Sequence, residues 1–121
     1  MSLLSLGGHV GYYLYMGNAD MRRTFEGLCG LVRNEMDQNP LDHQVYIFIN
    51  KRRTQVKLLL WEGDGFCIFH KRLEAGTFER PTTDGNKKQV TLSRSQLQMI
   101  LQGIKLESVT YRKRYMQPGN A

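Results

Sequence analysis

Lysine and arginine recur in short runs along this chain of 121 residues: Arg22-Arg23, Lys51-Arg52-Arg53, Lys71-Arg72 and Arg112-Lys113-Arg114. Such runs suit phosphate binding, because a guanidinium or ammonium fixed by a rigid backbone neutralises a phosphate oxygen and releases its counterion. Tyr111 and Tyr115 flank the last run, where an aromatic ring can stack on an unpaired base or line a groove. Seventeen Lys and Arg against eleven Asp and Glu leave a net charge of +6, which permits a nucleic-acid partner. A solvated surface also puts its charges on loops and strand ends, so composition alone does not separate the two.

Catalytic chemistry is harder to assemble. A metal-dependent nuclease working through Mg²⁺ or Mn²⁺ needs carboxylates that converge on one point, and the candidates are Asp20, Glu26, Glu62, Asp64, Glu74 and Glu79. Glu62 and Asp64 are close enough in sequence to converge, yet an Asp between two glycines usually serves the backbone of a turn. His9, His43 and His70 lack the spacing of metal ligands, and no Gly-rich phosphate loop, serine elbow or Cys/His nucleophile pattern occurs. Cys29 and Cys67 each sit in apolar context and read as core packing. The expectation is a protein without enzymatic chemistry, cofactor or metal.

The elements that must hold the basic runs follow from periodicity. His9 to Met16 is rich in β-favouring aromatics and stops at the Gly17-Asn18 turn signal, as a first strand does. Met21, Phe25, Leu28, Cys29, Val32 and Met36 recur at spacings of three and four, the stripe of an amphipathic helix, with Asn18 or Asp20 able to cap it and Asn39-Pro40 ending the region. Val45 to Asn50 is apolar on both alternating sets, so it belongs at the centre of a sheet. Val56/Leu58/Leu60 oppose Lys57/Leu59/Trp61 in the next strand, and Phe66/Ile68/His70 oppose Cys67/Phe69 in the one after. Gly63 and Gly65 around Asp64 predict a tight hairpin with positive φ at both glycines. Gln89 to Thr91 reads as a short returning strand. Ser93 with Gln96 forms a capping box and Leu92 with Leu97 a hydrophobic staple for a helix that Gly103 ends, before a strand near Val109.

These elements make an α+β fold: one domain over residues 1–121, a mainly antiparallel sheet of four to six strands with two helices packed on it. Flexible stretches are expected at 1–8, in the 82–88 loop and in the 116–121 tail. No window approaches the roughly 18 apolar residues of a membrane span, and the opening MSLLSLGG lacks a basic leader, so a cytoplasmic protein with no membrane partner is expected.

An ordered set of short motifs extends from about Tyr12 to Tyr115. It comprises Asp20-Met21-Arg22-Arg23 with Gly27-Leu28, Phe48-x-Asn50-Lys51-Arg52-Arg53, Lys57-Leu58-Leu59 and Trp61-x-Gly63-x-Gly65-Phe66. Lys71-Arg72-Leu73-Glu74-x-Gly76-x-Phe78, Gln96-Leu97 and Gly103-Ile104 complete it. Together these motifs resemble the TnpB accessory proteins of the insertion-sequence family numbered sixty-six, which are distinct from the RNA-guided nuclease of the same name. Asn18 stands where the family has a proline before Asp-Met-Arg, and Lys51 where arginine is common. The resemblance implies a bacterial mobile-element protein, encoded beside a separate acidic-triad transposase, needed for transposition and carrying no established catalysis of its own.

Beside the metal-dependent nuclease reading, which would rest on Glu62 and Asp64, two others follow. In one, Arg22, Lys51, Arg52, Arg53, Lys71, Arg72, Arg112, Lys113 and Arg114 contact the phosphates of DNA, at transposon ends or beside the transposase. In the other, Asp20, Arg22, Trp61 and Phe66 form an interface for the transposase or for the second small element-encoded protein, since arginine and aromatics anchor interfaces.

Overall fold

Val45–Ile49 (β2) is apolar at every position and buried at every position, which only the middle of a covered sheet allows. The structure, a computed structural model, describes residues 10–83 and 85–103. In it β2 lies between Tyr12–Tyr15 (β1) and Gln55–Trp61 (β3), with Phe66–Arg72 (β4) and Gln89–Leu92 (β5) at the edges, in the order β4-β3-β2-β1-β5. The β1–β2 pairing is parallel and the other pairings are antiparallel. The parallel pair needs a crossover, and Phe25–Asn34 (α1) supplies it. Arg94–Leu101 (α2) follows β5. The α+β expectation and the five strands agree with the sequence reading.

Strict alternation divides the core. One face of the sheet packs Leu14, Ile47, Leu58 and Leu60 against Leu97, Ile100 and Leu101 of α2, with Phe78 fully buried among them. The other packs Tyr46, Phe48 and Leu59 against Leu28, Cys29, Leu31 and Val32 of α1. The two helices therefore cover opposite faces, and β2 is buried because both layers meet over it.

Local signals are obeyed unevenly. The Ser93 capping box is formed in full: the Ser93 hydroxyl accepts the Gln96 N–H at 3.1 Å and the Gln96 side chain accepts the Ser93 N–H at 2.8 Å. Gly103, at φ 77, follows the last turn as expected of a C-terminal glycine. The start of α1 is different. Neither Asn18 nor Asp20 caps it; Thr24 is the N-cap residue and its side chain makes no cap bond. The Asp20 carboxylate instead accepts the Arg22 N–H at 2.9 Å and its guanidinium at 2.7 Å, so the cap was consumed by a local turn, and Phe25 is left 44% exposed. Between β3 and β4, Gly63 has φ 95 while Gly65 has no positive φ, the pattern of a turn with glycine at its first central position. The requirement for glycine therefore rests on Gly63 alone. The expected strand near Val109 and the contacts of Ile104 lie outside the described residues.

Candidate nucleic-acid interface

Strand direction decides which loops meet. β1 and β2 end, and β3 and β5 begin, at the same end of the sheet, where β4 also finishes at Arg72 opposite Gln55. Backbone bonds tie the loops there together: Ala19 N–H to Ile49 C=O at 3.0 Å, Phe78 N–H to Arg53 C=O at 2.6 Å, Leu73 N–H to Thr54 C=O at 2.8 Å and Met16 N–H to Lys88 C=O at 2.8 Å. The consequence is a gathering of charge. Arg22 and Arg23 arrive on the segment before α1, Lys51, Arg52 and Arg53 on the β2–β3 tip, Arg72 at the end of β4, and Lys87 and Lys88 just before β5. All of these residues are exposed.

Their bonding separates them into two groups. Arg22 pairs with Asp20 at 2.7 Å, Arg72 with Glu74 at 3.2 Å and Arg53 with Glu79 at 3.4 Å. These pairs are solvent-exposed to differing degrees and contribute little to stability, so a phosphate can replace the carboxylate at small cost. Lys51, Arg52, Lys87 and Lys88 have no acidic partner among the described residues. Hydrogen bonds from Arg22 hold the Asp20 carboxyl at about 2, so it is ionised at neutral pH. His70, on the same sheet end, is pulled below its ordinary value by partial burial and by the charges of Lys57 and Arg72, and adds no charge at neutral pH.

Lys71 does something else. Its ammonium reaches the α2 side of the sheet and donates to the Leu101 carbonyl at 2.7 Å, a cation placed at a helix C-terminus where the helix dipole favours it. It is a cap for α2 rather than a free charge beside Arg72. Arg112, Lys113 and Arg114 lie outside the described residues.

Arg23 and the Lys87-Lys88 pair were not among the expected contacts, and two further cations that brace the site were not singled out from the sequence either. Arg80 is half-buried, and its guanidinium donates to Ile49 C=O at 3.0 Å, Asn18 Oδ1 at 3.1 Å and Met16 C=O at 3.4 Å, joining the ends of β1 and β2; burial lowers its pKa. Nothing in its sequence context marks it. Lys57 is buried on the α1 face and donates to Met21 C=O at 2.8 Å and Arg23 C=O at 2.7 Å, holding the segment that carries Arg22. That one had a signal: alternation set it beside Leu59 and Trp61 on a covered face, where a lysine must find oxygens.

The opposite end of the sheet carries Asp42, Glu62 and Asp64, with Arg94 beginning α2. Trp61 and Phe66 pack edge to face there, with ring centroids 5.0 Å apart, both half-buried, and Leu41 is 43% exposed. So Asp20 and Arg22 sit at one end, bonded to each other, and Trp61 and Phe66 at the other; the four residues expected as a partner interface do not form one surface. A groove of about 470 Å³ beside α1 is lined by Asp20, Arg23, Glu26 and Glu35 among others, a mixture of signs unsuited to an anion. Among the described residues no group of three or more His, Cys, Asp or Glu is placed to hold a metal, and no helix is long and apolar enough to cross a membrane.

Residues 10–111 match the family described as IS66 Orf2 like protein. The chain is 32% identical over 102 residues to the uncharacterized protein y4hO of Sinorhizobium fredii (strain NBRC 101917 / NGR234), covering 84% of this chain and 87% of the relative. It is 32% identical over 62 residues to the uncharacterized protein y4jC of the same organism, covering 51% and 53%. No solved structure matches the chain. The chain belongs to the IS66 Orf2-like family, which supports an accessory role in the transposition of an insertion sequence.

Proposed function

We propose that this protein is a non-catalytic accessory factor of transposition that binds duplex DNA, at the ends of the element or alongside its transposase, through the basic end of its sheet. The observation that carries the reading is the separation of charge along the strands. The loops at one end bring together Arg22, Arg23, Lys51, Arg52, Arg53, Arg72 and the Lys87-Lys88 pair, a clear excess over Asp20, Glu74 and Glu79 there, while Asp42, Glu62 and Asp64 lie at the other end with Arg94. Solubility requires charge but not its segregation.

The test is a fluorescence titration with duplex DNA carrying the element's terminal repeat. Micromolar or tighter binding at low salt is expected, falling steeply as salt rises. The double substitution Lys51→Glu/Arg52→Glu is expected to weaken binding by about a hundredfold and to reduce the salt slope by about two, whereas Glu62→Gln/Asp64→Asn is expected to leave both unchanged. Absence of binding at low salt sinks the reading.

A second reading, docking to the transposase or to the other small element-encoded protein, is favoured by the half-exposed Trp61–Phe66 pair and Leu41 at the acidic end. Co-expression and co-purification decide it: separate elution at micromolar concentration excludes a stable complex. The two readings use opposite ends and are compatible.

A further inference from the structure

Arg53 occupies a backbone position that a side chain resists. At φ 59 it is in the left-handed region, where Cβ crowds the following carbonyl and glycine is the cheaper residue. The turn around it is rigidly specified. Its N–H donates to Asn50 C=O at 3.0 Å, and the Asn50 side-chain oxygen accepts the N–H groups of Thr54 and Gln55, each at 2.9 Å. Every one of those bonds is made by backbone or by Asn50, as is the bond from Phe78 N–H to Arg53 C=O. A glycine at 53 would keep them all. The Arg53 side chain adds only a long, partly exposed ion pair to Glu79 at 3.4 Å, too little to offset its strain. Among the described residues Asp37 and His43 also have positive φ, but Asp and His are types the left-handed region tolerates and arginine is not, so strain retained at Arg53 without structural return points to use of the side chain.

The same hydrogen bonds constrain how DNA is met. Segment 73–80 runs beside the tip through the Leu73 and Phe78 N–H groups and the Arg80 guanidinium, which binds Ile49 C=O, and the segment after β1 meets the same carbonyl through the Ala19 N–H. The tip is flanked on both sides and is not a free two-stranded arm. Reading base edges in the major groove takes an element that enters a slot about 12 Å wide and about 8.5 Å deep, which a flanked tip does not do. Its arginines meet phosphates first.

We infer that the basic end takes duplex DNA by its phosphates alone, with Arg53 as a contact fixed by the left-handed turn and base sequence left unread. This rests on the DNA-binding reading above and adds its mode. Specificity for an element's ends then falls to the transposase.

The experiment compares, in parallel salt titrations, a terminal-repeat duplex and a duplex of the same composition in permuted order, with wild type, Arg53→Gly, Arg53→Asn and Arg53→Lys. The two duplexes are expected to bind within about twofold of each other; a tenfold preference for the repeat overturns the inference while leaving DNA binding intact. Arg53→Gly is expected to raise Tm by about 4 °C yet weaken binding about fivefold and lower the salt slope by about one. Arg53→Asn, which also tolerates the turn, is expected to lose the same affinity, and Arg53→Lys to retain most of it. Unchanged affinity and slope in Arg53→Gly overturns the role of Arg53. Binding of neither duplex at low salt overturns the DNA-binding reading and this inference together.

Discussion

The two ends of the sheet are built by different rules. At the end holding Trp61 and Phe66, most of the shaping contacts are local: a short glycine turn, an edge-to-face aromatic pair, and a phenol on Tyr46 that donates to Asp42 Oδ2 at 2.7 Å, four residues away, with Gly11 bound to Gln44 and Val45 as the long-range tie. At the basic end the loops are held by long-range contacts, from Arg80 to Met16 and Ile49, from Phe78 to Arg53, and from Lys57 to Met21 and Arg23. A surface that crowds like charges repels itself, so it needs an internal frame that does not depend on those charges. Buried cations bonded to carbonyls supply that frame, and the exposed ones remain available to a ligand.

The sharpest way to break this contrast is Arg80→Ala. It strips the partner from carbonyls at the ends of β1 and β2, and a loss of about 3 kcal/mol is expected, read as a fall in Tm of roughly 10 °C. Loss of DNA affinity should accompany it although no exposed charge is removed. An unchanged Tm would mean the basic end is held by something other than this guanidinium.

At the other end the expected effects are smaller and local. Gly63→Val places a β-branched residue at φ 95 and is expected to cost about 2 kcal/mol, whereas Gly65→Val, with open space at its Cβ and no positive φ, should stay within about 0.5 kcal/mol. Equal losses by chemical denaturation would show that the turn needs both glycines. Neither variant should change DNA binding.

The mildest probe is pH. Burial, together with the hydrogen bond to Asp42, pushes the Tyr46 phenol above its ordinary value. A folded pKa raised above the unfolded value gives a contribution that is complete below about pH 10 and lost as pH climbs beyond it. Denaturation midpoints of the wild type should therefore decline above that pH more steeply than those of Tyr46→Phe, which is expected to lose about 1 kcal/mol near neutrality.

Much of the fold was legible. β2 announced its central place because all five of its side chains are apolar, and the Ser93 box, the alternation in β3 and β4, and the closing Gly103 each report a local rule that the tertiary structure had no reason to override. The start of α1 was misread because Asp20 had two local uses, capping and pairing with Arg22, and sequence spacing does not rank them. The partner of Lys71 was missed for a related cause. Its neighbour Arg72 points to the opposite face of β4, and what Lys71 meets is the end of a helix thirty residues later.

The sequence by itself determined the strands, the capped second helix, the family and the identity of the basic runs other than Lys87-Lys88, because period, turn residues and capping pairs act over a few residues. Only the tertiary structure decided that Arg22, the Lys51–Arg53 tip and Lys87-Lys88 share one end of the sheet, and that Arg80 and Lys57 brace it from within. Those facts follow from strand order and direction, which are set by how the two apolar faces of the sheet are covered, and no local spacing encodes them.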